Sequence, residues 1–132
     1  MALYTNTVET TFANLATTLA GLTENSNILI TDVANVTFGT ADASGTLGYI
    51  IANNGSCLID LSPTDFSSLT VADMTSAFGN CIHLTAIGNL PTGVTDGSNM
   101  FGNCTSLKTI PSDFGSTRTP IVTGKQIGRA HV

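Results

Sequence analysis

Cys81 and His83 stand two residues apart, and a thiol beside an imidazole is the pairing that nucleophilic catalysis uses. The pairing does not recur. Cys81 returns as Cys104 after 23 residues, while His83 becomes Ser106. A cysteine that repeats without its histidine reads as a small apolar filler, so no enzyme is expected. The three cysteines, Cys57, Cys81 and Cys104, are an odd number with no C-x₂-C spacing. Neither a closed disulfide framework nor a zinc site follows from them. Stacked coils about 4.8 Å apart would put Cys81 within disulfide reach of Cys104, yet parallel side chains do not favour the bond. Gly39, Gly45 and Gly48 miss G-x-G-x-x-G, and Gly124-Lys125 lacks the rest of a phosphate loop. Asp60, Asp65, Asp73 and Asp96 fit no calcium loop. No metal and no cofactor is implied.

The elements that carry these residues announce themselves by repetition. Residues 71–87, VADMTSAFGNCIHLTAI, align with residues 94–110, VTDGSNMFGNCTSLKTI, and eight of the 17 positions are identical. The 23-residue offset lies in the range of leucine-rich repeats. Leu84-x-x-Ile87 and Leu107-x-x-Ile110 read as the short strand of each unit, stopped by Pro91 and Pro111. Phe-Gly-Asn-Cys reads as the corner before it. The stretches 73–78 and 96–101 read as short helical turns, each opened by an Asp cap. Phe78, Phe101, Cys81, Cys104, Leu84, Leu107, Ile87 and Ile110 are expected in the core. Asn80 and Asn103 are expected to form a buried ladder that satisfies backbone groups of adjacent coils.

The alternation of helix and strand continues upstream. Leu47, Ile50 and Ile51 mark a helical face, ended by Asn53-Asn54-Gly55. Residues 57–61 follow as a strand. Val8, Phe12, Leu15, Leu19 and Leu22, spaced 4, 3, 4 and 3, predict one helix near Gly21, with Ile28-Leu29-Ile30 as the strand after it. Strand starts at 28, 58, 84 and 107 describe longer first units, which suits an N-terminal cap.

The unit MFGNCTSLKTIP, preceded by V-T-D, resembles the BspA-like leucine-rich repeats of bacterial surface proteins, whose repeat runs V-T-D-M-x-x-M-F-x-G-C-x-S-L-T-x-I-P. The matching residues are Val94, Thr95, Asp96, Met100, Phe101, Asn103 (where the family often has Gly), Cys104, Ser106, Leu107 and Ile110. The previous unit matches at Val71, Asp73, Met74, Phe78, Cys81, Leu84 and Ile87. The match covers about residues 71–111, and residues 8–61 resemble the lead-in such arrays carry. The resemblance implies surface-exposed or secreted binding and adhesion proteins, several from host-associated microbes, with related arrays in phage and protists. A typical member has many repeats, whereas this chain shows two clear ones. The expected fold is therefore α/β: a short right-handed leucine-rich-repeat solenoid with a parallel strand ladder and an N-terminal helical cap. Residues 1–61 would form the cap and degenerate units, residues 62–115 the repeats, and residues 116–132 a tail.

Composition agrees with a packed stack. Of 132 residues, 42% are hydrophobic and only 10% charged, against about 25% charged in an average domain. The polar share is 22 Thr, 11 Ser and 11 Asn, which argues against both a coiled coil and charged disorder. Residues 1–117 hold all nine acids and one Lys, so the body repels phosphate backbones and anionic headgroups. Nucleic acid is not an expected partner. No 18-residue apolar run exists for membrane insertion, and the first seven residues do not read as a secretory signal. At the other end, Ile127-Gly-Arg-Ala-His-Val132 could be written ATC GGA AGA GCA CAC GTC, a string that looks like a sequencing adapter. The repeat register also fails there. An artefactual end is expected, with a genuine polar tail as the alternative.

The expected function is a non-enzymatic interaction module that binds protein or glycan, with a spacer or a phage attachment segment as the alternative. Its binding surface is expected on the strand face. Ile59, Asp60, Thr85, Ala86, Lys108 and Thr109 would point outward there, with Ile82, His83, Thr105 and Ser106 beside them. Thr85, Lys108, Thr109 and His83 are the candidate binding residues.

Overall fold

Parallel strands alternate with helices and turns in the computed structural model, which describes residues 4–97 and 99–108. Four strands form one sheet: β1 (Thr7–Thr10), β2 (Ser26–Ile30), β3 (Ile59–Leu61) and β4 (Leu84–Ile87). Every neighbouring pair is parallel, and the spatial order is the chain order, β1-β2-β3-β4. Two short helices occupy the first crossovers, α1 (Leu15–Ala20) after β1 and α2 (Leu47–Asn53) before β3. The architecture is α/β. Sheet and core run without a break across position 61.

Helix α2 lies where the Leu47, Ile50, Ile51 spacing places it. Thr46 Oγ1 accepts the Tyr49 amide at 3.3 Å, which caps its first turn. Gly55 beyond it has φ +80°. A Cβ there would strike the Leu19 carbonyl, so the end of α2 sits close against α1.

The single helix expected through Val8 and Leu22 is not formed. Residues Thr7–Thr10 pair in register with Asn27–Ile30 as β1, and only Leu15–Ala20 is helical. Val8, Phe12, Leu15, Leu19 and Leu22 all pack on one core, but from a strand, a turn and a helix in succession. The β-branched residues Thr7, Val8 and Thr10 favour extended backbone. Asn27 holds this edge in place, since its amide donates to the Tyr4 carbonyl at 2.6 Å and its Oδ1 accepts the Tyr4 amide at 3.0 Å. The element beside β2 at the amino-terminal side is therefore a strand, not the expected helical cap.

The helical turns expected at 73–78 and 96–101 are also corrected: both stretches form non-helical turns among the described residues. Ser76 and Asn99 have φ of +54° and +56°, a left-handed backbone that cannot continue a right-handed helix. Asp73 closes its turn locally, with Oδ1 accepting the Thr75 amide at 2.9 Å.

Beyond the sheet the chain continues to lie parallel to itself at an offset near 23 residues. Amides of the earlier segment donate to carbonyls of the later one: Val71 to Thr92 (3.0 Å), Met74 to Asp96 (2.7 Å), Phe78 to Met100 (2.8 Å) and Asn80 to Gly102 (2.7 Å). Parallel bridges pair Thr70 with Thr92 and Asp73 with Asp96. Lys108 donates to the Thr85 carbonyl at 2.7 Å, which carries this pairing past β4. Leu107 and Lys108 are not themselves in a strand, and the rest of that expected strand, with Thr109 and Ile110, lies outside the described residues, as does the 116–132 tail.

The core lies between the sheet and the turns opposite it. Phe78 and Phe101 are fully buried and stack at 5.4 Å with an interplanar angle of 10°. Phe38 meets Phe78 edge-on at 6.3 Å and Phe66 edge-on at 5.4 Å. Leu84, Ile87, Leu107, Cys81 and Cys104 are buried with them.

Candidate functional site

The strand face does not offer the surface expected of it. Ile59, Asp60, Thr85 and Ala86 are all buried, Thr85 and Asp60 completely. Thr85 Oγ1 donates to the Ile59 carbonyl at 2.7 Å, bridging β4 to β3. Thr85 is thus corrected from a ligand contact to a structural one. The reason is general: parallel strands are covered on both faces, and the apolar runs Ile28-Leu29-Ile30 and Cys57-Leu58-Ile59 carried that signal. Lys108 is exposed, and His83 is half-buried with its carbonyl accepting the Ile59 amide at 2.9 Å. Thr109 lies outside the described residues.

Cys81, buried beside Gly48, donates from Sγ to the Gly48 carbonyl at 3.4 Å. The Cys104 thiol beside it, then burial, push the Cys81 thiol far above its ordinary pKa. A thiol held protonated is no nucleophile. Cys104 in turn donates to the Phe78 carbonyl at 2.9 Å, and all three cysteines are free thiols. The repeated cysteines therefore tie one segment to the next by hydrogen bonds as well as by packing.

Asn80 and Asn103 do form a ladder, with Asn103 Nδ2 donating to Asn80 Oδ1 at 3.1 Å. Contrary to expectation, the ladder is exposed. Both residues have left-handed backbones, φ +63° and +61°. Asn is among the few side chains that tolerate that region, so the corner accepts it at both positions.

These asparagines line a groove of about 470 Å³ with Thr40, Ala41, Asp42, Ser76, Gly79, Asn99 and Gly102. Sequence spacing does not bring residues 40–42 here. The loop after the 3₁₀ turn Val33–Asn35 does, pinned by the Ala41 amide donating to the Ser76 carbonyl at 3.0 Å. Thr40 Oγ1 donates to Asp42 Oδ1 at 2.7 Å, which orients that carboxylate at the groove. Asp42 is the one ionisable side chain among the described residues that line it. A single carboxylate among amides and hydroxyls supplies hydrogen bonds, not an acid–base pair.

Among the described residues no group of three or more His, Cys, Asp or Glu side chains could hold a metal ion, and no helix is long and apolar enough to cross a membrane. Comparison with family models, with curated proteins and with solved structures finds no match for this chain.

Proposed function

We propose that this chain is a non-enzymatic interaction module built as a short right-handed stack of leucine-rich-type coils. One observation carries the reading. The 23-residue repeat of sequence coincides with a repeat of contacts, in which Phe78 stacks on Phe101, Asn80 bonds Asn103 and Phe78 donates to Met100. Stacked units of this kind present one position of the repeat side by side on a common surface, and that is how such arrays bind. The likeness of the 71–87 and 94–110 units to BspA-like repeats extends the proposal to a surface-exposed or secreted microbial protein engaged in adhesion. The acidic body supports a protein or glycan partner over nucleic acid.

The binding surface in this reading is the turn side that carries Asn80 and Asn103, not the covered strand face. The test immobilises the full chain and challenges it with a displayed peptide library and with an oligosaccharide array. A saturable ligand from either, lost on substitution along the turn side, supports the module. If neither gives a saturable ligand, the chain acts as a spacer and the reading falls.

A further inference from the structure

We propose that the groove between residues 40–42 and the two Gly-Asn corners is a subsite for neutral carbohydrate, a reading that rests on the interaction-module proposal and names its ligand class. The groove is open and polar, with a volume of about 470 Å³. Its chemistry is that of hydroxyl recognition. Among the described residues, three carboxamides, two hydroxyls and one carboxylate line it, with Ala41 as the sole aliphatic side chain. Carboxamides donate and accept at once, as sugar hydroxyls do. A peptide would need an apolar anchor pocket, and a nucleobase an aromatic platform; the lining holds neither. Among the described lining residues none is a cation while Asp42 is an anion, so phosphate, sulfate and carboxylate ligands are disfavoured.

The backbone gives a second, independent argument. Ser76, Asn80, Asn99 and Asn103 are the non-glycine residues with positive φ among the described residues, and all four line this groove. Glycine meets that backbone requirement at no steric cost. Positions of positive φ held by a side chain gather at ligand sites. The Asn80–Asn103 bond uses one atom of each carboxamide. Whichever way the two amides are turned, that bond leaves one carboxamide nitrogen and one carboxamide oxygen outside it, a donor and an acceptor of the kind that sugar hydroxyls use.

The test uses the full chain on an array of neutral, sialylated and sulfated oligosaccharides, with calorimetry on the best hit. Two variants are compared with the parent. Asn80→Gly combined with Asn103→Gly keeps the left-handed corners, so its melting temperature should stay within a few degrees. Asp42→Ala changes an exposed loop side chain and keeps the fold regardless. The expected result is saturable binding of a neutral glycan that weakens about tenfold or more in each variant, as loss of one or two hydrogen bonds predicts. Binding of no neutral glycan, preference for the anionic ones, or a parent-like affinity in the Asp42→Ala chain overturns the proposal. A peptide ligand with no glycan hit sinks this inference while leaving the interaction module standing.

Discussion

The contact between Phe78 and Phe101 is the sharpest point at which the stacked arrangement can be broken. Both rings are fully buried, 5.4 Å apart and 10° from parallel. Truncating either to Ala should cost about 3–5 kcal/mol. A domain of this size is stable by only about 5–15 kcal/mol in all, so the double Ala change would remove most or all of that stability. Leucine is the better probe. Each Phe→Leu change should cost about 1–1.5 kcal/mol. If the rings touch, the double Leu variant loses their interaction only once, and its cost falls short of the sum by the worth of an aromatic pair, about 0.5–1.5 kcal/mol. Sites without contact add to within about 0.3–0.5 kcal/mol. Urea unfolding of the four chains measures this, with a common slope showing that the unfolded state is unchanged. Additive costs, or a Phe101→Ala chain that melts like its parent, would refute the coil-on-coil packing.

Three further outcomes follow from other contacts. Gly48→Ala adds a Cβ that overlaps the Ala77 carbonyl and lies 3.0 Å from the Ala41 Cβ. Better helix propensity alone would stabilise α2 by about 1 kcal/mol, but the clash with backbone should reverse the sign and lower the unfolding free energy measured in urea by about 1–3 kcal/mol. Asp32, Asp65 and Asp73 hold their carboxyls below the ordinary 3.8, through hydrogen bonds chiefly from Asn35, Ser67 and Thr75 respectively. A lowered folded-state pKa adds stability that is complete above the ordinary value and is lost as pH falls below it. The melting temperature should therefore fall as pH drops below 3.8, and Asp73→Asn should shrink that fall; an unchanged acid profile in the variant would remove Asp73 from the account. For the thiols, Cys57 is half-buried while Cys81 and Cys104 are buried, so a disulfide reagent should label one thiol quickly in the native chain and all three in urea. Fast labelling of two or more native thiols would contradict the packing.

What the sequence made legible depended on whether local pattern and tertiary demand agreed. At Leu47–Asn53 the helical spacing, the Thr46 cap and the Asn54-Gly55 stop all act within one element, and the helix forms there. At Val8 they diverge. Apolar residues spaced 4 and 3 apart suit one helix face, yet the same residues reach one core from β1, a turn and α1. Only the extended partner β2, some 20 residues away, decides between those arrangements. Thr85 misled for a related reason. An alternating Thr between two core positions suggests a solvated face, whereas here that face is covered and the hydroxyl is spent on the Ile59 carbonyl. Asp42 and Thr40 carried no signal at all, because the Ala41–Ser76 hydrogen bond that brings them to the groove spans 35 positions and follows no period.

The repeated Asn ties the two levels together. In the alignment, Asn80 and Asn103 are two identities among eight, no more informative than the paired Phe or Cys. In the fold the three pairs act in different directions from the same corner. The rings stack inward, the thiols bond to neighbouring backbone, and the carboxamides meet on the outside. The first two pairs are explained by the core that they fill. The third is not, because an exposed hydrogen bond contributes little and Gly would serve the left-handed turn better than Asn. Where a residue is worse for the backbone than the simplest alternative and gains little from its own contacts, the remaining reason to keep it lies in what the side chain presents. That reasoning moves the candidate surface from the strand face to the groove beside the corners.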